Sequence, residues 1–345
     1  MDKAARVVRT KDVVMQMTSW SVLYYRLRAN FDGLRSDMCM VPTHETGVGN
    51  AIYDYGKTVT DISYDDGLVT VQYGSVDGTS SSLQADLVIA ADGPGSFIRQ
   101  KLLPKVKRQY AGYIAWRGFA NENDISEETK QALGESLTYH LTGKGHILVY
   151  WIPSDKTGSV KLGERLLNFV WYDNYPESSP ELVDIMTDNE GYRHRTTLPM
   201  GKMRDEVWTR RKASAAAFMP APFMELIDKT PKPFTQMVAD VYSPRASFYG
   251  GKVLIVGDAF TAFRPHASQS TNQAARSALL LGKVMEGKIS MEEWERSTAE
   301  FARVVGLLSI KIGCEYQGRT WDWVVSSIQY NWALVMQWVR KRWYG

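Results

Sequence analysis

The sequence has few of the features that identify secreted, metal-binding or membrane-spanning proteins. Its 345 residues include two cysteines, Cys39 and Cys314, which are too few and too far apart for a disulfide framework or a cysteine metal site. The five histidines have no metal-ligand spacing. The N-terminal residues contain no apolar signal core. We therefore expect a cytoplasmic protein without a bound metal.

Excess charge and long apolar runs are also scarce, which limits the partners that the protein can have. The formal net charge is +3, and no dense basic tract with interleaved aromatics predicts nucleic-acid binding. The uncharged stretch from Trp323 to Val339 contains several polar residues, whereas a spanning helix needs about 20 mostly apolar ones. We therefore expect this stretch to pack against the protein body or a partner subunit, as in a homodimer, and we expect no membrane partner.

What the sequence does contain is a globular composition that is rich in aromatic residues. Hydrophobic residues make up 44% and charged residues 23%, and the length suffices for two domains with a sizeable core. The 12% of aromatic residues, with 11 Trp, suits a protein that binds a flat ring, although large cores use aromatic residues as well.

Two kinds of segment alternate along the chain. Residues 18–31 have helical spacing, Asp66-Gly67 predicts a hairpin, and the apolar run from Leu87 to Ala91 predicts a strand buried on both faces of a parallel sheet. From Tyr110 to Tyr172, aromatic strand-like runs predict an antiparallel sheet. A second buried strand follows at 252–256, with helices predicted over 271–285, 290–313 and 321–339. An α/β part is therefore interrupted by a β-rich part.

The first segment with a chemical pattern follows the buried strand that ends near residue 91. There Asp92 and Gly93 are followed by Ser96 and Arg99. Ligands of doubly wound sheets bind beyond the carboxyl ends of strands, and glycine lets the backbone approach them closely. The alternative is that Asp92-Gly93 is only a turn.

The second segment follows the second buried strand and has the same character. It contains the residues Gly257, Asp258, Ala259, Pro265, Gln269 and Asn272, the last two at the start of a predicted helix. A carboxylate at a strand end can accept hydrogen bonds from ligand hydroxyls. The N-terminus of the helix offers unpaired N–H groups and a positive dipole end. Taken alone, this segment also fits a capped helix after a strand.

Together, the two segments resemble motifs of the class A flavin monooxygenases, the family of para-hydroxybenzoate hydroxylase. The first resembles the motif D-x-V-I-G-A-D-G-x-x-S-x-x-R, with Ala90 in place of a glycine. The second resembles G-D-A followed by P-x-x-G-Q-G-x-N, with Ser268 and Ser270 in place of both loop glycines. Within the family, the run from Tyr110 to Gly118 is most similar to the 2,6-dihydroxypyridine 3-monooxygenase branch.

The resemblance implies an α/β fold in which an incomplete, Rossmann-like FAD-binding domain is interrupted by an antiparallel β-sheet substrate domain and followed by C-terminal helices. The expected domains are 1–108 with 246–289 for FAD binding, 109–245 for the substrate, and 290–345 as a helical segment. The family's opening G-x-G-x-x-G motif, which holds the FAD pyrophosphate, is absent from the sequence. Gly47-Val48-Gly49 lacks the third glycine, so we expect the chain to lack the first βαβ unit.

The resemblance also implies a reaction. NADH or NADPH reduces FAD, O2 gives a C4a-hydroperoxyflavin, and an oxygen atom passes to a phenol- or hydroxypyridine-like ring. The alternative is an N-terminally truncated, non-catalytic remnant that binds FAD poorly or not at all.

The family motifs assign a role to each site residue by resemblance. Asp258 would bind the ribityl hydroxyls, with Gly257 and Ala259 along that chain, and Asn272 would face the isoalloxazine. The remaining predicted FAD contacts are Asp92, Gly93, Arg99, Pro265 and Gln269. His266 lies in the loop expected to line the flavin, where it could orient or deprotonate a phenolic substrate; a surface histidine is the alternative.

Overall fold

The structure, a computed structural model, describes residues 1–12, 17–43 and 49–344, apart from the side chains at positions 341 and 344. His44 and the Gly47-Val48 pair considered above lie outside the described residues. The helices are α1 (Trp20–Phe31), α2 (Phe97–Leu102), α3 (Glu127–Leu133), α4 (Pro180–Ile185), α5 (Asp205–Ala215), α6 (Ala221–Lys229), α7 (Ser270–Met285), α8 (Met291–Tyr316) and α9 (Thr320–Tyr344). The strands are β1 (Lys57–Asp65), β2 (Leu68–Ser75), β3 (Ser80–Ala85), β4 (Val88–Ala90), β5 (Gln109–Asn121), β6 (Thr138–Leu141), β7 (Gly145–Ile152), β8 (Leu166–Asn174), β9 (Thr197–Leu198), β10 (Phe234–Tyr242), β11 (Ser247–Phe248), β12 (Val253–Ile255) and β13 (Thr261–Ala262).

The chain forms two compact units, each made of two stretches of sequence. The first unit is Met1–Tyr53 with Gly112–Met237, and the second is Asp54–Ala111 with Val238–Gly345. Residues 1–53 thus belong to the β-rich unit, where the Met1 amine donates to the Tyr139 carbonyl at 2.6 Å. Helices α8 and α9 belong to the second unit. The boundaries predicted for the FAD-binding domain, the substrate domain and the helical segment remain predictions.

The first unit is built on the antiparallel sheet that the aromatic runs predict. Its strands follow the order β10-β5-β8-β7-β6, and β9 pairs with β10. Trp116 on β5 lies opposite Trp171 on β8, and Trp208 of α5 covers the same face. Side chains alternate across a strand, so the neighbouring Arg117 faces the other side of the sheet.

The second unit contains a three-stranded sheet of order β11-β12-β4, in which β12 and β4 are parallel. Strand β12 is wholly buried, as predicted. The prediction that β4 is buried on both faces is wrong, because Ile89 is 45% exposed. Among the described residues, β4 pairs with β12 alone, and an edge strand is less completely covered than a central one.

Local signals placed several elements correctly. Ser19 caps α1, its hydroxyl accepting from the Val22 N–H at 3.3 Å. Asp66 and Gly67, both with positive φ, form the turn between β1 and β2. No helix of the described chain is long and apolar enough to cross a membrane.

Candidate cofactor-binding site

The two predicted motifs lie at neighbouring strand ends in the second unit. The parallel register pairs Ala90 with Ile255, and the Val256 N–H donates to the Ala90 carbonyl at 3.0 Å. The segments that begin at Asp92 and Asp258 therefore leave the sheet side by side. This edge is where open α/β sheets bind their ligands.

Arg99 ties the two segments together. Its side chain is 2% exposed, and its Nη1 donates to the Ala259 carbonyl at 2.7 Å, while Nη2 donates to the Pro94 carbonyl. The Ser96 hydroxyl caps α2 by accepting from the Arg99 N–H at 2.9 Å. Burial lowers the pKa of Arg99, and the nearby Asp92 charge opposes that shift. The arginine thus fixes the backbone of both loops.

Asp92 is exposed and has a local structural contact. One carboxylate oxygen accepts from the Ile98 N–H at 3.2 Å, at the start of α2. Gly93 beside it has φ +75°, in the left-handed region that favours glycine. These contacts support the alternative interpretation that Asp92 and Gly93 form a structural turn before α2. The Asp92 carboxylate is nevertheless exposed to solvent.

Asp258 is in a different environment. Its Oδ1 is buried and has no hydrogen-bond partner among the described residues. Burial raises the pKa of Asp258, while the Ser270 hydroxyl and the Arg108 charge act to lower it. A buried carboxylate oxygen without a donor is costly, and a ligand hydroxyl that donates to it would remove this cost.

The loop from Pro265 to Asn272 ends at α7, which has no side-chain cap. Gln269 takes the N-cap position, and its Oε1 accepts from the Asn272 Nδ2 at 3.0 Å. Asn272 and Pro265 are exposed. Ser268, which stands where the family motif has glycine, has φ 52° and so keeps the left-handed turn. Ser268 therefore holds a left-handed conformation at a steric cost of about 1–2 kcal/mol.

His266 lies in the short helical turn Pro265–Ala267 and is partly exposed. The residue before this turn, Arg264, donates from Nε to the buried Asp240 carboxylate at 2.7 Å. That ion pair anchors the base of the loop. The catalytic role of His266 stays a prediction. No group of metal-ligating residues occurs within the described part of the chain.

Two residues of the site were missed by sequence reasoning. Gln273 is buried on α7, and its Nε2 donates to the carbonyls of Gly257 at 2.8 Å and Thr261 at 2.9 Å. Arg108 has a buried Nε without a partner in the described structure and is charge-coupled to Asp258 and Asp240. Gln273 falls on the buried side of α7, and a polar residue at such a position is the sequence signal that could have identified it. Nothing in the local sequence singled out Arg108.

Comparisons with known proteins bear on what these motifs belong to. The family model described as FAD binding domain-like matches residues 110–240. The chain is 32% identical over 247 residues to 2,6-dihydroxypyridine 3-monooxygenase of Paenarthrobacter nicotinovorans, covering 70% of this chain and 59% of that protein. The chain is homologous to the class A FAD-dependent hydroxylases.

Solved structures of hydroxylases share this fold. The structure of 2,6-dihydroxypyridine-3-hydroxylase from Arthrobacter nicotinovorans matches with a TM-score of 0.66 at 28% identity, covering 77% of this chain and 66% of that one. HpxO of Klebsiella pneumoniae, an R204Q variant complexed with FAD, matches with a TM-score of 0.56 at 23% identity, covering 81% and 63%. The chain thus spans about three fifths of its curated hydroxylase relative and somewhat more of these structures.

Gly257 offers a direct test of the loop geometry in this hydroxylase homologue. Its φ is +56°, and an added Cβ would meet the Ala274 Cβ at 3.5 Å, so the cost of Gly257→Ala is mainly backbone strain. We expect the free energy of unfolding to fall by about 1–2 kcal/mol. Urea unfolding monitored by circular dichroism measures it.

The matched control is Gly282→Ala, inside α7, where an added Cβ meets nothing within 4 Å. An exposed helical glycine replaced by alanine should raise the free energy of unfolding by up to about 1 kcal/mol. Equal effects of the two substitutions would contradict the left-handed conformation at residue 257.

Proposed function

We propose that the protein is an FAD-dependent monooxygenase that hydroxylates an aromatic or heteroaromatic ring with NADH or NADPH and O2. The observation that carries the proposal is the Asp258 carboxylate, at a parallel strand end, with a buried Oδ1 that lacks a donor. The family resemblance assigns this motif to FAD binding. A cytoplasmic location suits a reaction that consumes NAD(P)H.

The residues fit the ribityl part of FAD. Asp258 would accept hydrogen bonds from ribityl hydroxyls, and Gly257 and Ala259 would lie along the chain with little side-chain bulk. Gln273 would hold the Gly257 carbonyl while the neighbouring aspartate binds. Bound FAD would supply hydride acceptance and O2 activation, and the protein would position the ring and exclude water.

The uncapped start of α7 would serve the flavin ring. The Gln269 side chain caps none of the N–H groups of the first turn of α7, and these groups would favour the negative charge of a reduced flavin. Asn272, Gln269 and Pro265 would shape the loop around the ring. On the neighbouring segment, Asp92 and Gly93 would form the side from which the nicotinamide approaches, and the buried Arg99 would hold that segment in place.

The substrate would contact the sheet of the first unit, on the face opposite Trp116. Arg117 lies on this face. Its Nε is buried without a partner, and its Nη1 is 3.5 Å from the Gln236 Oε1. No carboxylate of the described chain forms an ion pair with it. A cation without a counter-ion would favour a ring that carries an oxyanion or a carboxylate.

Tyr150 and His146 define the polarity of that face. Burial raises the pKa of Tyr150, although the Arg117 charge acts to lower it, so the phenol stays protonated as a hydrogen-bond donor. Burial lowers the pKa of His146 to about 3, so its imidazole is neutral at physiological pH. Arg117 is therefore positively charged beside a neutral imidazole and a neutral phenol, and phenols and hydroxypyridines are the substrate class that we infer.

The role of Arg117 is tested by Arg117→Met. Losing a charge-assisted contact of about 1.5–3 kcal/mol should raise KM for an anionic substrate roughly 10- to 100-fold. The dissociation constant of FAD should not change, because Arg117 is assigned to substrate alone. Steady-state kinetics and flavin fluorescence titration measure the two quantities.

The exposed Arg195 provides the control for that experiment, since Arg195→Met removes the same charge from the surface of the same unit. If both substitutions raise KM equally, Arg117 has no specific role. If Arg117→Met weakens FAD binding instead, the assignment of this face to the substrate is wrong.

The proposed function as a whole is tested with the purified chain. We expect a flavin absorbance band after addition of FAD and removal of the excess. We also expect NAD(P)H consumption that phenols or hydroxypyridines stimulate. A protein that binds no FAD and shows no stimulated consumption would overturn the proposal.

The second candidate is a protein of this fold that does not bind FAD. Two observations favour it: Asp92 is engaged by the Ile98 N–H, and Asn272 by Gln269. Both contacts are structural and leave these side chains less available to a ligand. A colourless, folded protein whose thermal stability does not respond to added FAD would support this candidate.

A further inference from the structure

Helix α9 presents an apolar face that no described part of the chain covers. It packs on α8 through a side that includes the buried Ser326 and Ala333. On the opposite side, six apolar residues form a row that we term the α9 stripe: Trp321, Val325, Ile328, Trp332, Val335 and Val339. Trp321 is 78% exposed, Ile328 65% and Trp332 61%. Large exposed apolar patches usually mark interaction sites.

The spacing of the stripe indicates what covers it. The residues alternate at intervals of four and three, which gives two interleaved seven-residue repeats. This a/d spacing is typical of the seam of a helix pair, in which each side chain inserts between residues of a facing helix. A helix that lies on a lipid surface does not require a seven-residue repeat.

The stripe is also symmetrical in sequence about Tyr330. We propose that α9 is a homodimer interface, in which the stripes of two copies pack antiparallel across a two-fold axis at the level of this residue. Trp321 then faces the partner's Val339, and Ile328 faces the partner's Trp332. These two contacts set a larger side chain against a smaller one, and Val325 faces the partner's Val335.

The charges of α9 agree with the antiparallel orientation. Asp322 is at the start of the helix, whereas Arg340 and Arg342 are at its end, and all three are exposed. In an antiparallel pair, Asp322 lies on the same flank as the partner's Arg340, less than one helical turn away along the axis. A parallel pair would instead bring the basic C-terminal ends of both copies together. It would also set Trp332 of one copy against the partner's Trp332.

The area is sufficient for a specific dimer. With about 250 Å² for a whole Trp side chain, the two tryptophans and the four aliphatic residues expose roughly 600 Å² per copy. Two copies would then bury about 1,200 Å², which is at the lower limit of stable protein interfaces. We therefore expect a dissociation constant in about the micromolar range.

Sedimentation equilibrium and light scattering on the full chain test the proposal. The wild-type protein should be a dimer at tens of micromolar, and Trp332→Glu or Ile328→Glu should be monomeric with an unchanged circular dichroism spectrum. Leu279→Glu is the matched control, because Leu279 is 73% exposed on α7 and lies off the stripe. It should remain dimeric. A monomeric wild type, or a dimer that survives both α9 substitutions, would overturn the proposal.

The antiparallel orientation has its own test. Asp322→Arg should weaken dimerisation about tenfold, and adding Arg340→Asp should restore most of the loss. A double variant weaker than both single variants would rule out this charge pairing. Flotation with phosphatidylcholine–phosphatidylglycerol vesicles tests the other occupant. Vesicle binding by a monomeric wild type, lost in Trp332→Glu, would assign the stripe to a lipid surface and overturn the dimer.

Discussion

Replacing Asp258 by asparagine should weaken FAD binding about 10- to 100-fold, with no loss of apoprotein stability. The first effect follows from losing charge-assisted hydrogen bonds to ligand hydroxyls, at about 1.5–3 kcal/mol. The second follows because the buried Oδ1 has no donor in the structure, so that the negative charge is a cost to the apoprotein. Fluorescence titration with FAD and thermal unfolding of the apoprotein measure both effects.

Asp65→Asn is the control, since Asp65 is exposed on the β1–β2 hairpin of the same unit. It should change neither quantity. If Asp258→Asn destabilises the apoprotein and leaves FAD affinity intact, Asp258 is a structural residue, and the observation that carries the proposed function fails.

The same carboxyl gives the apoprotein a pH dependence of definite sign. Burial raises the pKa of Asp258 above its ordinary value near 3.8. The protonated form is therefore favoured on folding, so its contribution to stability is present below the unfolded pKa and is lost as pH rises through the folded pKa. FAD should reverse this dependence, because the hydroxyl donors favour the carboxylate. Asp258→Asn should abolish both trends.

Arg99→Met should have the largest effect on stability among the substitutions considered. It removes the hydrogen bonds to the Ala259 and Pro94 carbonyls and leaves one buried and one partly buried acceptor without a donor. We expect the free energy of unfolding to fall by about 2–4 kcal/mol, together with FAD affinity, because the two strand-end loops lose their common tie. Urea unfolding and FAD titration give the two results.

The variant Arg99→Lys tests whether the site requires the positive charge of Arg99 or the hydrogen-bond geometry of its guanidinium group. A lysine keeps the positive charge but cannot reach both carbonyls with a planar group, so most of the loss should remain. Lys105→Met, at an exposed position just after α2, is the control and should have little effect. Full recovery with lysine would show that the charge, and not the bridge between the loops, is what the site requires.

Much of the site could be predicted because its chemistry is local in sequence. The buried strand of Val253–Ile255, the Gly257-Asp258 turn and the start of α7 follow one another directly, and each has its own signal. The order of the two motifs, with the β-rich segment between them, then supported the family resemblance. In the structure, the parallel pairing of Ala90 with Ile255 brings the two motifs to the same edge of the sheet.

The remainder depends on partners that are distant in sequence. An apolar run such as 87–91 reads the same in a central strand and in an edge strand, so the exposure of Ile89 could not be foreseen. The carbonyls that Gln273 binds belong to residues sixteen and twelve positions earlier in the sequence. Arg108 couples to Asp258 through space alone. The residue pattern and the composition of the sequence do not predict such pairings.

The pairing of β4 with β12 has a consequence for the synthesis of the protein. The two strands are about 165 residues apart, so this contact has a high sequence separation and forms slowly. At about 5–20 residues per second, a ribosome needs roughly 10–30 s to deliver β12 after β4. During that interval the apolar β4 has no parallel partner. We therefore expect nascent chains that stop before residue 253 to be prone to aggregation.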